Sequence, residues 1–187
     1  MEGHRRWGWH QLDPRWAESL VDDAALPPRA LVLDVGAGTG ALVTPLLAAG
    51  ARVVAVEAHP GRARALTERF GDEIRVVRAD AADLRLPTRP FHVVANPPFA
   101  VTSALLRRLL HPGSQLVSAH LLLDRHAARR WSSADAPRIG RWGREFEIGV
   151  GRRVPRRAFH PMPRVDVVTL WIRRRPLRSR AAPRGSR

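Results

Sequence analysis

The chain has 187 residues, 44% of them hydrophobic, which suffices for one domain with a packed core. It contains no cysteine, which excludes disulfides and thiolate metal sites, and no apolar run long enough to cross a bilayer, so the expectation is a cytoplasmic protein without a membrane partner. The formal net charge of +15 is unevenly placed: residues 1–100 carry 12 Arg against 12 acids, whereas residues 101–187 carry 20 Arg against 5.

All 32 basic residues are Arg. A coding bias accounts for the choice of Arg over Lys but not for the loss of acids after residue 100. A basic excess confined to one region is the footprint of a polyanion-binding face, and Arg suits phosphate and base contacts.

In chain order, the Val-rich runs at residues 30–34, 52–57, 75–80 and 91–96 read as strands, each ending at or near a polar residue. Helical stretches at residues 40–49, 61–70 and 101–110 alternate with them, the pattern of βαβ units and a parallel sheet covered on both faces. A fifth strand at residues 115–123 leads into a helix at 125–131 and a loop at 132–144. Residues 146–151 and 165–172 read as strands joined without a convincing helix, which predicts an antiparallel pair at the edge of the sheet. From Arg173 onward Arg, Pro, Ser and Gly dominate, and a disordered tail is expected.

The first strand turns into the first helix through Asp34-Val-Gly36-Ala-Gly38-Thr-Gly40. Glycines permit a tight turn and a close approach of backbone to a ligand, and a helix N-terminus presents unpaired N–H groups. The second strand ends in Glu57, placed to receive ribose hydroxyls, and the third in Asp80-Ala81, a carboxylate and an N–H that suit an adenine edge. Together these strand ends describe a nucleoside crevice. The spacing G-x-G-x-G departs from the G-x-G-x-x-G of nicotinamide dinucleotide sites and favours S-adenosylmethionine.

The fourth strand ends in Asn96-Pro97-Pro98-Phe99. The Asn side-chain oxygen and a backbone carbonyl fixed by proline can accept both hydrogens of an exocyclic amine while Phe99 stacks on the attached ring. Two such acceptors direct the nitrogen lone pair toward a methyl donor without a strong general base.

These motifs, with Val54-Ala-Val-Glu57, residues 71–80, residues 89–99 and the Phe-x-Pro-x-Pro-x-Val-Asp ending of residues 152–166, resemble the ribosomal RNA adenine-N6 methyltransferases. The similarity is to the Erm-type 23S rRNA enzymes of macrolide resistance and, one step further, to the 16S rRNA dimethyladenosine transferases; it runs from about residue 7 to residue 174. It implies an α/β, class I S-adenosylmethionine-dependent methyltransferase (Rossmann-like) fold: a mostly parallel sheet with an antiparallel edge strand and helices on both faces. The implied catalytic domain is residues 1–174, with a tail at 175–187.

The resemblance also implies residue roles. Gly36, Ala37, Gly38 and Gly40 line the methionine part of the cofactor; Glu57 and Ala58 hold the ribose; Asp80 and Ala81 hold the cofactor adenine. Asn96, Pro97 and Phe99 take the target adenine, with Asn96 also facing the cofactor, and His10 and Gln11 stand where relatives carry a cofactor-touching Gln-Asn-Phe segment. Arg125, Arg129, Arg130, Arg152, Arg153, Arg156, Arg157 and Phe159 are the expected RNA contacts, with no metal, and the protein is expected to be a monomer. Relatives more often carry Ile or Leu at the position of Pro97 and continue into a helical C-terminal domain that helps hold RNA. This chain stops soon after Ile172, so other RNA contacts are expected. The function implied is N6 methylation of an adenine in naked or partly assembled 23S rRNA, which crowds the macrolide site. A 16S or DNA adenine methyltransferase, a protein amide methyltransferase and a non-catalytic RNA-binding assembly factor are the alternatives.

Overall fold

The structure is a computed structural model that describes residues 10–133 and 145–176. Its centre is a seven-stranded sheet. The strands are β2 (Leu31–Val35), β3 (Arg52–Val56), β4 (Arg75–Val77), β5 (Phe91–Ala95), β6 (Leu116–Asp124), β7 (Phe146–Val154) and β9 (Val167–Arg174), ordered β4-β3-β2-β5-β6-β9-β7. The first five in that order run parallel. Their central members are Val- and Ala-rich because both faces are covered: Val32, Leu33, Ala55, Val93 and Val94 are all buried.

β9 is antiparallel to both β6 and β7. The antiparallel strand is therefore one in from the edge, and β7 forms the edge itself. The reason lies in composition: Val167, Val168, Leu170 and Ile172 bury side chains on both faces, so β9 cannot serve as a solvated border. The antiparallel pair expected at this end of the sheet is present.

Two core layers flank the sheet. Helices α1 (Pro14–Asp23), α2 (Val43–Ala48) and α3 (Pro60–Phe70) cover one face through Leu20, Val43, Leu46 and Leu66; α4 (Thr102–Leu109) and α5 (Arg125–Ser132) cover the other through Leu105, Leu109 and Trp131. The sequence reading lacked α1. Its start is encoded by Asp13, whose carboxylate accepts from Arg15 N–H at 3.0 Å, followed by Pro14 at the first helical position. Ala17, Leu20 and Val21 then form its buried stripe.

The connector between β7 and β9 holds one turn of 3-10 helix and a two-residue strand, β8 (Phe159–His160). β8 pairs antiparallel with β1 (Gln11–Leu12), placing Gln11 opposite His160 and Leu12 opposite Phe159. This clasp brings the start of the domain to its late basic segment. The part of the expected loop at 134–144 and the part of the expected tail at 177–187 lie outside the described residues. Among those described, no helix is long and apolar enough to cross a membrane, and no group of three or more His, Asp or Glu side chains is placed to hold a metal ion.

Candidate active site

The loops after β2, β3, β4 and β5 meet at the carboxyl ends of the parallel strands, where an open α/β sheet forms its ligand crevice. There they line a narrow cleft of about 50 Å³ that includes Gly36, Glu57, Ala58, Asp80, Ala81 and Asn96. His10, Pro97 and Phe99 also line it. A small recess continues from it past His10, Gln11, Asp34, Gly36, Ala37 and Asn96.

The glycine turn differs from expectation in one respect. Four of its N–H groups are consumed internally: those of Gly36 and Ala37 donate to Val56 O at 2.8 and 3.1 Å, that of Gly38 to Glu57 Oε2 at 2.8 Å, and that of Gly40 to Ala37 O at 2.8 Å. α2 begins only at Val43. With the N–H groups of Gly36, Ala37, Gly38 and Gly40 engaged, the turn is poorly equipped to cradle a pyrophosphate, which disfavours a dinucleotide on physical grounds. Gly36 adopts φ +78°, and a Cβ there would stand 2.9 Å from Pro98 Cδ, so the turn packs against the Asn-Pro-Pro segment. Gly40, at φ +87°, backs onto Phe70 and lies outside the cleft; its glycine serves packing of α3.

Glu57 is 3% exposed and ties two loops together. Oε2 accepts from Gly38 N–H, while Oε1 accepts from His59 N–H at 2.8 Å and from Arg62 Nη2 at 3.0 Å. A carboxylate has about four acceptor sites, so this network leaves about one for a ribose hydroxyl, and a second requires Arg62 to yield. Asp80 is not at a strand end, because β4 stops at Val77. It sits three residues on, exposed, with Oδ1 accepting from Ala82 N–H at 2.9 Å; this side-chain turn stiffens the rim next to buried Ala81.

Asn96 follows β5. Its Nδ2 donates to His10 O at 2.7 Å, and Oδ1 accepts no hydrogen bond among the described residues. His10 also donates from Nδ1 to Pro161 O at 2.6 Å and stacks on Phe99 with ring centroids 5.9 Å apart. One histidine thus holds the amide, faces the aromatic ring and fastens the β8 turn. Gln11 lines the recess and not the main cleft.

Asp34 was not among the site residues expected from sequence. It is 1% exposed, and neither carboxylate oxygen has a hydrogen-bond partner among the described residues. Burial, with a smaller contribution from the Glu57 charge, pushes its carboxyl from 3.8 up to about 8. An unsatisfied carboxyl lining a recess calls for a donor or cation from a ligand. Its place as the acid that opens the glycine motif, inside a strand buried on both faces, was the readable signal.

The expected RNA contacts separate into two groups. Arg152 donates to Asp23 Oδ2 at 2.5 Å and Ser19 Oγ at 2.6 Å, Arg153 to Asp166 Oδ1 at 2.8 Å and Arg156 to Pro163 O at 2.8 Å; Arg125 lies 3.9 Å from Asp166. These four are engaged with the protein's own surface groups, at half-exposed positions where such pairs add little stability. Arg129, Arg130 and Arg157 are exposed and make no ion pair among the described residues. Phe159 is corrected outright: at 4% exposed it packs in the core with Leu12 and Val154, because strand alternation turns it inward, so it offers no face to RNA.

The whole described sheet and cleft fall within a match to the family model for ribosomal RNA adenine dimethylase, which spans residues 3–182. The chain belongs to that family. It is 37% identical over 146 residues to an rRNA adenine N-6-methyltransferase of Corynebacterium diphtheriae, covering 76% of this chain and 57% of that protein. It is also 37% identical over 201 residues to the Ribosomal RNA small subunit methyltransferase A of Anaeromyxobacter dehalogenans (strain 2CP-C), covering 94% and 69%. Among solved structures, the 23S rRNA methyltransferase ErmE superposes with TM-score 0.75 at 31% identity, covering 87% of this chain and 68% of that one. The first of these relatives is thus matched over little more than half its own length. As in this adenine dimethylase family member's solved relative, the fold is that of the Rossmann-like methyltransferases.

Proposed function

We propose that the protein binds S-adenosylmethionine in the cleft and transfers its methyl group to N6 of an adenine in 23S rRNA, a modification that crowds the macrolide site. The observation that carries this reading is the fixed amide of Asn96: with Nδ2 committed to His10 O, Oδ1 is left as an acceptor at the rim of a cleft that also holds Glu57.

The residues fit such a cofactor. Asp34 supplies the buried carboxyl that an ammonium would satisfy, Glu57 supplies a remaining acceptor for a ribose hydroxyl, and four of the turn's N–H groups are already engaged and unavailable to phosphate. When bound, S-adenosylmethionine supplies an electrophilic methyl group on a sulfonium. Asn96 Oδ1 accepts one hydrogen of the adenine amine and the Pro97 carbonyl the other, which concentrates electron density on a nitrogen otherwise delocalised into the ring. Phe99, backed by the His10 ring, stacks on the base and sets its orientation.

A second reading, methylation of small-subunit rRNA, is favoured by the relative from Anaeromyxobacter, with which the chain aligns over almost its full length. Tritiated methyl incorporation into purified 23S rRNA, 16S rRNA and duplex DNA, mapped by primer extension, separates the two. Label on a 23S adenine is expected; label on 16S alone selects the second reading, and label confined to DNA, or absent, overturns both. Asn96→Ala is expected to bind S-adenosylmethionine normally by calorimetry while transfer falls by about 100-fold or more, the scale of losing one preorganised hydrogen-bonding group.

A further inference from the structure

The Phe-x-Pro-x-Pro segment has a buried end and an exposed end. Phe159 belongs to the core, but Met162, between the two prolines, is 54% exposed. The only other large apolar side chains exposed among the described residues are Val150 and Val165, and Val165 closes the same turn.

This turn is stiff and is bonded to His10, a residue that lines the cleft. Proline fixes φ on either side of Met162. Pro161 O accepts from the His10 ring at 2.6 Å, Pro163 O from Arg156 at 2.8 Å, and the far end is closed by Arg125 N–H on Asp166 O at 2.8 Å. Because His10 also holds Asn96 and stacks on Phe99, Met162 is the chain neighbour of a residue bonded to the pocket wall. Exposed Arg157 and Arg164 occur on the same segment. An unbranched, polarizable apolar side chain on a rigid basic turn is poorly suited to water but well suited to the gap between two bases.

We infer that Met162 is a wedge that enters the RNA stack where the target adenine leaves it. A stacked base cannot reach Asn96 without being extruded, and the vacancy it leaves is costly unless an apolar group fills it. Met162 fills that vacancy while the adenine occupies the pocket behind His10. The inference rests on the adenine reading above and adds how the base is made available.

The test uses Met162→Ala and Met162→Leu in the full chain, with two RNAs carrying the adenosine mapped above. One is a stem-loop in which that adenosine is stacked in the stem, the other a short unstructured strand of the same flanking sequence. Met162→Ala is expected to lower kcat/KM on the stem-loop by about tenfold, the scale of one lost stacking contact, and to leave the single strand unchanged. It should also diminish the fluorescence rise of a 2-aminopurine placed at the target position, and Met162→Leu should restore both readouts at an unaltered melting temperature. Equal losses on the two RNAs, or no loss on either while the unmodified protein is active, overturn the wedge alone. Absence of transfer to any RNA by the unmodified protein overturns the adenine reading and the wedge together.

Discussion

Asp34 is a carboxyl inside a parallel sheet, without a partner among the described residues, and its folded-state pKa of about 8 against 3.8 sets a definite pH dependence. Between those values the folded state keeps a proton that the unfolded chain has lost, so folding binds protons and stability falls as pH rises from about 4 to about 8. Asp34→Asn removes that penalty. In thermal melts without ligand, the variant should equal the parent near pH 4 and exceed it at pH 8, by roughly 4–8 °C for each 2 kcal/mol relieved. A variant less stable than the parent at pH 8 would show that the carboxylate has a protein partner. Binding should move the opposite way, with S-adenosylmethionine weakened in calorimetry because its ammonium loses the acid it neutralises.

At the scale of elements, the clasp of β1 with β8 aligns the cleft. It seats His10 against Asn96 from one side and Pro161 from the other, and Phe159 is its buried anchor. Phe159→Ala should therefore act through the fold, lowering stability in urea by roughly 3–5 kcal/mol as large buried aromatics do. An unchanged urea midpoint would refute the anchoring role. The clasp also marks the limit of what sequence reveals. The five parallel strands were legible because burial on both faces demands continuous Val-rich runs, and strand ends in such a sheet gather Gly36, Glu57 and Asn96 without further information. A two-residue strand has no periodicity to read, so the pairing that links His10 to Pro161 was invisible, as was the inward turn of Phe159. The hydrogen bonds that use up the glycine turn depend on where β3 ends relative to β2, a matter of register that composition does not specify.

At the scale of the molecule, part of the basic excess among the described residues is spent on contacts within the protein. Of the arginines expected to meet RNA, Arg152, Arg153, Arg156 and Arg125 are engaged with Asp23, Asp166 and a main-chain carbonyl, which leaves Arg129 and Arg130 on α5 and Arg157 as exposed cations without an ion pair among the described residues. If these three meet phosphates of a single strand, they contribute about −2 to the slope of log K against log salt. Replacing all three by Gln should remove that much of the slope in a fluorescence titration of rRNA fragments. An unaltered slope would place the phosphate contacts elsewhere.

The position of β9 has a consequence for how the protein is made. The strand that comes last along the described chain is inserted between β6 and β7, both of which are synthesised earlier and have no neighbour on that side until it arrives. During translation the nascent sheet therefore ends at β6 with an open hydrogen-bonding border, and β7 has no strand partner, until β9 has been made. Stalling or cleavage before that point leaves a sticky, incomplete sheet, so the interval between synthesis of β7 and β9 is when the chain most needs chaperone cover.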